Sequence, residues 1–213
     1  MKFLDLFEKD FYQKMISPAG NNPVRNRADS LSKVFEILDE KKDKNFFIVE
    51  TGCMRADHGQ LAFGDDGAST FIFDKFINFY DGEVVSVDIN ANNVEHARSM
   101  VSGRTSVYCS DSVEFLWSIP EKKKIDFLYL DSYDFEPNNP IPSQKHHLKE
   151  LCAVMKNLRK GSIICVDDHL NTPNFDQYRA TLAQGGKATF VEDFMNNIGA
   201  ECLYDGYQII WRL

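Results

Sequence analysis

ECLYDGYQIIWRL, residues 201–213, closes the chain and decides how the rest of it is read. Its two apolar runs, ECLY and YQIIWRL, are separated only by Asp205 and Gly206, and an Asp-Gly pair between such runs is a strong hairpin signal. The sheet is therefore expected to end in an antiparallel edge pair, not in another helix-linked parallel strand. Working back from it, five more runs rich in β-branched and aromatic residues recur: FFIVE (46–50), VVSVD (84–88), TSVYC (105–109), IDFLYLD (125–131) and SIICVDD (162–168). They read as parallel strands buried on both faces. Amphipathic stretches at residues 69–80, 92–101 and 143–158 supply the crossovers, and in the first of them Phe71, Ile72, Phe76 and Phe79 fall at helical spacing. The alternation predicts an α/β fold.

Residues 1–44 read as an N-terminal segment: an amphipathic helix, a polar loop SPAGNNPVRNRAD that serves as lid or connector, and a second helix near residues 30–38. Residues 45–213 then form the main domain, with a second irregular stretch at 169–187 beyond a strand end. Phe3, Leu4, Phe7 and Phe11 on the first helix suit a partner chain as well as the core, which leaves a homo-oligomer open. The chain has 213 residues, 24 Lys plus Arg against 32 Asp plus Glu, and a formal charge of −8. A chain of this length buries roughly 70% of its unfolded surface and needs no disulfide or structural metal to fold. The acidic balance, with no long basic run, argues against nucleic acid or an anionic membrane as partner. Five cysteines form no C-x-x-C pair, and no segment has the length of a membrane span, so a reducing, cytoplasmic setting is expected.

The chemistry concentrates at the strand ends. Glu50-Thr51-Gly52 places an acid two positions before a glycine, an arrangement that lets backbone approach a ligand while the acid accepts from an ammonium or hydroxyl group. Asp88 ends the second strand, where a carboxylate can grip both hydroxyls of a ribose. The fingerprint G-x-G-x-x-G is missing, with Met54 where its second glycine belongs, so pyrophosphate binding is disfavoured. Instead Gly67-Ala68-Ser69-Thr70 opens the next helix, whose free N–H groups suit a carboxylate. That combination favours S-adenosylmethionine over NAD. Asp111 and Ser112 follow the third strand, where Asp111 either accepts from an adenine amino group or simply caps a helix.

The next two strands end in Asp131-Ser132-Tyr133-Asp134 and Asp167-Asp168-His169. If they are adjacent, Asp131, Asp167 and Asp168 meet at one mouth of the sheet as hard oxygen donors for Mg2+ or Mn2+; the alternative is that each caps a helix or meets solvent. No paired His or Cys favours zinc. Among the five histidines, His146, His147 and His169 lie where a general base could act, whereas His96 reads as surface. Tyr133 and Lys187 fit packing or surface roles as well as catalysis.

The series VETG, GAST, VVSVDIN, CSDSVEFL, IDFLYLDSYDF, GSIICVDDH and the closing hairpin resembles the class I S-adenosylmethionine-dependent methyltransferases over about residues 45–213. Within them it is similar to the metal-dependent macrocin and sugar O-methyltransferases. The resemblance implies a Rossmann-like three-layer sandwich around a mostly parallel seven-stranded sheet. It also implies a methionine subsite at Glu50, Gly52, Ser69 and Thr70, a ribose contact at Asp88 and an adenine contact at Asp111 and Ser112. Asp131, Asp167 and Asp168 would hold the metal; the related catechol-type enzymes have asparagine at the position of Asp168. Catalytic roles fall to Asp131, His147 and His169. The expected function is Mg2+-assisted methylation of a hydroxyl on a sugar or other small molecule. Two other classes remain: a metal-dependent hydrolase using the same acids, and a non-catalytic module on the same scaffold.

Overall fold

The computed structural model describes residues 1–16, 27–56, 63–64, 66–170 and 185–213. The polar loop at 17–26 and most of the 169–187 stretch, both expected to be irregular, lie largely outside the described residues. Seven strands form one sheet in the order β3-β2-β1-β4-β5-β7-β6. They are β1 (Asn45–Thr51), β2 (Asp81–Asp88), β3 (Thr105–Cys109), β4 (Phe127–Leu130), β5 (Ile163–Val166), β6 (Glu201–Asp205) and β7 (Ile209–Arg212). The first five pair in parallel, β7 runs antiparallel to β5, and β6 pairs antiparallel with β7. This is the mostly parallel sheet with a terminal hairpin that the Asp-Gly turn predicts.

Alternation along the buried strands sorts the core into two layers. Phe46, Ile48, Phe127 and Tyr129 face one side, where they pack with α1 (Phe3–Phe7), α3 (Ala28–Glu40) and α4 (Ser69–Phe79). A π-helical turn at Glu8–Tyr12 and the short α2 (Gln13–Ile16) follow α1. Phe47, Val49, Leu128 and Leu130 face the other side, against α6 (Ser112–Ser118), α7 (Ile141–Val154) and α8 (Thr189–Asn197). Helix α5 (Ala91–Met100) closes the β3 end through Val94 and Ala97, which meet Met54 and Val107. Among the described residues no helix is long and apolar enough to cross a membrane.

One local feature decides between alternatives the sequence leaves open, and two differ from its reading. Phe3 and Phe7 are fully buried against Phe35, so the N-terminal helix spends these rings on its own core. Helix α8 was not anticipated, although Val191 and Met195 are a helical pair with a shared buried face. The hairpin turn is longer than Asp-Gly: Asp205 pairs with Ile209, and Gly206 N–H donates to Gln208 O. Tyr207 and Gln208 thus leave the expected last strand, because polar groups at the sheet's carboxyl edge hold them.

Phe76 is the hub of the first layer, with ring centroids of Phe3, Phe35, Phe46 and Tyr80 at 5.1, 5.4, 5.0 and 5.2 Å. Truncating it removes contacts to three elements at once and leaves a cavity that rigid neighbours cannot fill. Phe76→Ala is expected to cost about 3–5 kcal/mol of stability, read as a lowered urea midpoint with the slope of the transition unchanged.

Candidate active site

The parallel register sets Thr51 beside Val87 and Leu130, and Leu130 beside Val166. The residues that follow, Gly52, Asp88, Asp131 and Asp167, therefore emerge in one row at the carboxyl edge. Chain direction across the sheet reverses between β1 and β4, and such a switch point opens a crevice for ligands. Gly52 (φ +78°) sits in it, where an added Cβ would come within 2.4 Å of the Asp131 carbonyl oxygen. Backbone conformation and close approach both demand glycine here.

Two cavities occupy the crevice. One, of about 390 Å3, is lined by Gly52, Arg55, Ser69, Asp88, Asp131 and Asp134 among others. The second, of about 250 Å3, is lined by Asp111, Ser112, Tyr133 and His146. Asp88, Ile89 and Ser132 line both, so the two form one bipartite cleft with the Asp88 carboxylate at its waist. That carboxylate is fixed by backbone N–H groups of Cys53 at 3.2 Å and Asn90 at 2.7 Å. Arg55 ties the cleft's rim by pairing with Asp134.

Glu50 lies behind the cleft and is fully buried. Its Oε2 accepts from the Thr70 hydroxyl at 2.7 Å and the Ser86 hydroxyl at 2.5 Å, while Oε1 has no hydrogen-bond partner among the described residues. Burial raises its pKa to about 7, against the opposing pull of the Ser69, Ser86 and Thr70 hydroxyls; Ser69 acts there without a hydrogen bond of normal geometry. Thr70 also accepts from Met54 N–H and thereby braces the loop after Gly52, whereas Ser69 reaches the cavity wall. Asp111 Oδ1 accepts from Glu114 N–H and so caps α6, as its alternative reading had it, while still lining the second cavity. Ser112 is bonded to His146 Nε2 at 2.9 Å.

The structure brings Asp131, Asp167 and Asp168 together, with one oxygen of each within 4.8 Å of the others. It also supplies two cations that the sequence left unassigned. Arg27 forks onto Asp167, with Nη2 at 2.6 Å from Oδ2 and Nε at 3.1 Å from Oδ1, and Gln208 Nε2 donates to Oδ1 at 2.7 Å. Lys187, 1% exposed, places Nζ 2.6 Å from Asp131 Oδ1 and 3.0 Å from Asp168 Oδ2. The Tyr207 hydroxyl donates to Asp168 Oδ1. Burial works to raise Asp168, but Lys187 and Arg27 outweigh it and hold the carboxyl below its usual range. Burial and the charge of Asp167 raise Asp131, with Lys187 opposing them. Hard carboxylate oxygens suit a divalent cation in kind, yet as they stand all but Asp131 Oδ2 are engaged by protein donors, and a metal bound by all three acids does not fit without displacing Lys187 or Arg27.

Two of the expected catalytic residues stand away from the cleft walls. His147 is buried and donates Nδ1–H to the Ser143 carbonyl at 2.7 Å; burial lowers its pKa to about 4, so it is neutral, and Nε2 has no partner among the described residues. His169 Nε2 lies 3.1 Å from Asp205, towards the hairpin. It is His146 that lines a cavity. The residues sequence reasoning missed, Arg27, Tyr207 and Gln208, carry no local signal, because each reaches the acids across more than 35 intervening residues. Lys187 had a faint one in the pair Gly185-Gly186 before it.

No protein-family model matches the chain, and no curated protein matches it in sequence. Solved structures do. MycE methyltransferase of the mycinamycin biosynthetic pathway, in complex with Mg and SAH, matches 100% of the chain with TM-score 0.62 and 13% identity. The chain spans 54% of MycE, about half its length. CalS11, a TDP-rhamnose 3'-O-methyltransferase of calicheamicin biosynthesis, matches 98% of the chain over 93% of its own length, with TM-score 0.51 and 16% identity. A Clostridium thermocellum protein assigned as an rRNA methylase matches 85% over 94% of its own length, with TM-score 0.52 and 13% identity. The chain thus has the Rossmann-like fold of the S-adenosylmethionine-dependent methyltransferases.

A buried carboxyl with a raised pKa has a defined effect on stability. Between the unfolded value near 4.5 and the folded value near 7, the folded state keeps a proton that the unfolded chain releases, so stability falls as pH rises and levels off above 7. The full loss is about 3 kcal/mol. Glu50→Gln keeps an acceptor for Thr70 and Ser86 and does not titrate. It is expected to match the wild type in urea unfolding at pH 4.5 and to exceed its stability at pH 8; an equal gap at both pH values would refute the assignment.

Proposed function

We propose that this chain is an S-adenosylmethionine-dependent methyltransferase that methylates a hydroxyl of a sugar or another small molecule. The observation that carries the reading is the bipartite cleft at the switch point. A glycine makes the closest backbone approach in it and a carboxylate stands at its waist, while the fully buried Glu50 behind it keeps a carboxylate oxygen with no hydrogen-bond partner among the described residues. An amino acid joined to a nucleoside has matching parts. Its ammonium group suits Glu50 Oε1, its ribose hydroxyls suit Asp88, and its adenine suits the smaller cavity beside Asp111, Ser112 and Ile89. A metal-dependent hydrolase would leave Glu50 and the second cavity without a role.

Bound there, S-adenosylmethionine would supply an electrophilic sulfonium methyl group for transfer to the acceptor oxygen, with the bonding pair left on sulfur. What the chain contributes is orientation and a proton acceptor. Asp131 lines the larger cavity, and its Oδ2 has no donor among the described residues, so it can take the hydroxyl proton as the new bond forms. Arg55 and Asp134 shape the rim past which the acceptor enters. The Mg2+-assisted form of the reaction has two supports, the donor chemistry of the three aspartates and the Mg in the MycE complexes. The Arg27 and Lys187 pairings stand against it. The formal charge of −8 favours a small acceptor over a nucleic acid.

Calorimetry with S-adenosylhomocysteine is expected to show one site per chain. Asp88→Ala should weaken it by about 10–100-fold, the worth of charge-assisted hydrogen bonds to a ribose. A wild-type protein that binds neither S-adenosylhomocysteine nor S-adenosylmethionine would refute the proposal.

A further inference from the structure

The acid cluster is already neutralised from within. Among the described residues every oxygen of Asp167 and Asp168 has a protein donor or cation against it, and Asp131 Oδ1 has Lys187. Asp167 is fully buried, and its oxygens face a guanidinium fork, the strongest geometry a carboxylate is offered. The charge sum of three carboxylates and two cations is −3 + 2 = −1.

Lys187 is not there by accident of side-chain flexibility, because the main chain delivers it. Its N–H donates to the Asp168 carbonyl at 3.0 Å. At the preceding Gly186 an added Cβ would lie 2.2 Å from that same oxygen, so the segment can lie this close to Asp168 only with glycine at that position. Gln144 Nε2 anchors the other side by donating to Gly186 O at 3.1 Å and to Thr189 Oγ1 at 3.1 Å. A lysine held this way and shut off from water keeps its charge only because two carboxylates flank it. Removing it from the cluster would strand either the ammonium or the acids.

We propose that Lys187 is the resident cation of this centre: its ammonium fills the place between Asp131 and Asp168 that the resemblance gives to a divalent metal, and the chain works without one. The inference rests on the methyltransferase reading for what the centre does, and departs from it on the metal. Lys187 acts as a positioning residue. It fixes one oxygen of Asp131 and leaves the other to receive the acceptor's proton, and its single charge leaves the centre anionic, which suits a neighbouring sulfonium.

The test is Mn2+ binding followed by electron paramagnetic resonance of the free ion, on wild type, Lys187→Met and Lys187→Arg. S-adenosylhomocysteine calorimetry is run with and without EDTA on the same samples. Wild type and Lys187→Arg are expected to leave Mn2+ free at millimolar concentration. Lys187→Met should bind it at least 10-fold more tightly, a gain that mere structural damage would not produce. EDTA should leave wild-type affinity for S-adenosylhomocysteine unchanged. Stoichiometric Mn2+ binding by the wild type would overturn the inference and leave the methyltransferase reading intact, as would a Lys187→Met protein as silent towards Mn2+ as the wild type. Absence of S-adenosylhomocysteine binding would overturn the methyltransferase reading, while the Mn2+ comparison would still decide the role of Lys187.

Discussion

The fork of Arg27 onto Asp167 ties a helix of the N-terminal segment to the sheet edge where β5 and the terminal hairpin meet. Arg27 enters at the head of α3, Asp167 follows β5, and Gln208 of the hairpin turn donates to the same carboxylate. A fully buried carboxylate is tolerable only with such partners, and removal of one partner from a buried pair costs about 3–5 kcal/mol. This one interaction therefore locks the N-terminal layer, the sheet edge and the terminal hairpin around the same point. Tyr207 and Gln208 are drawn out of the last strand to serve it, which is why the turn is longer than Asp-Gly alone would make it.

Around that point the sheet does the sorting. Parallel pairing brings five strand ends to one edge, and the reversal between β1 and β4 opens the crevice. The two cavities then differ in character although the loops after β2 and β4 wall both. The larger adds polar lining from the turn after β1 and the head of α4; the smaller adds Asp111 and Ser112 after β3, Tyr133, and His146 of α7. The histidines illustrate how little residue type decides by itself. His146 and His147 are adjacent on one helix, yet a turn of about 100° per residue sends one to the cleft and the other into the core.

Much of the fold was legible in sequence. Strands buried on both faces announce themselves as continuous apolar runs, and each predicted run overlaps an observed strand. The acids at their ends were legible for the same reason, since parallel register leaves little freedom in where a strand end emerges. Glu50, Gly52, Ser69, Asp88, Asp131, Asp167 and Asp168 all lie at or directly behind the predicted edge. Thr70 lies there too but turns inward to brace Glu50. What could not be read was the partner of each acid. Arg27 and Asp167 are separated by 140 positions, and no periodicity encodes such a pair.

The sequence by itself determined the succession of strands, the helices before the last one, the terminal hairpin and the acidic row, because these follow from local patterning and from the chirality of parallel connections. Only the tertiary structure decided what charge that row carries. Taken as sequence, Asp131, Asp167 and Asp168 are three free carboxylates that call for a metal. Folded, they are held by Arg27 and Lys187, because gathering three negative charges around a buried Asp167 demands compensation from whichever cations the fold brings within reach, and those cations come from segments distant in sequence.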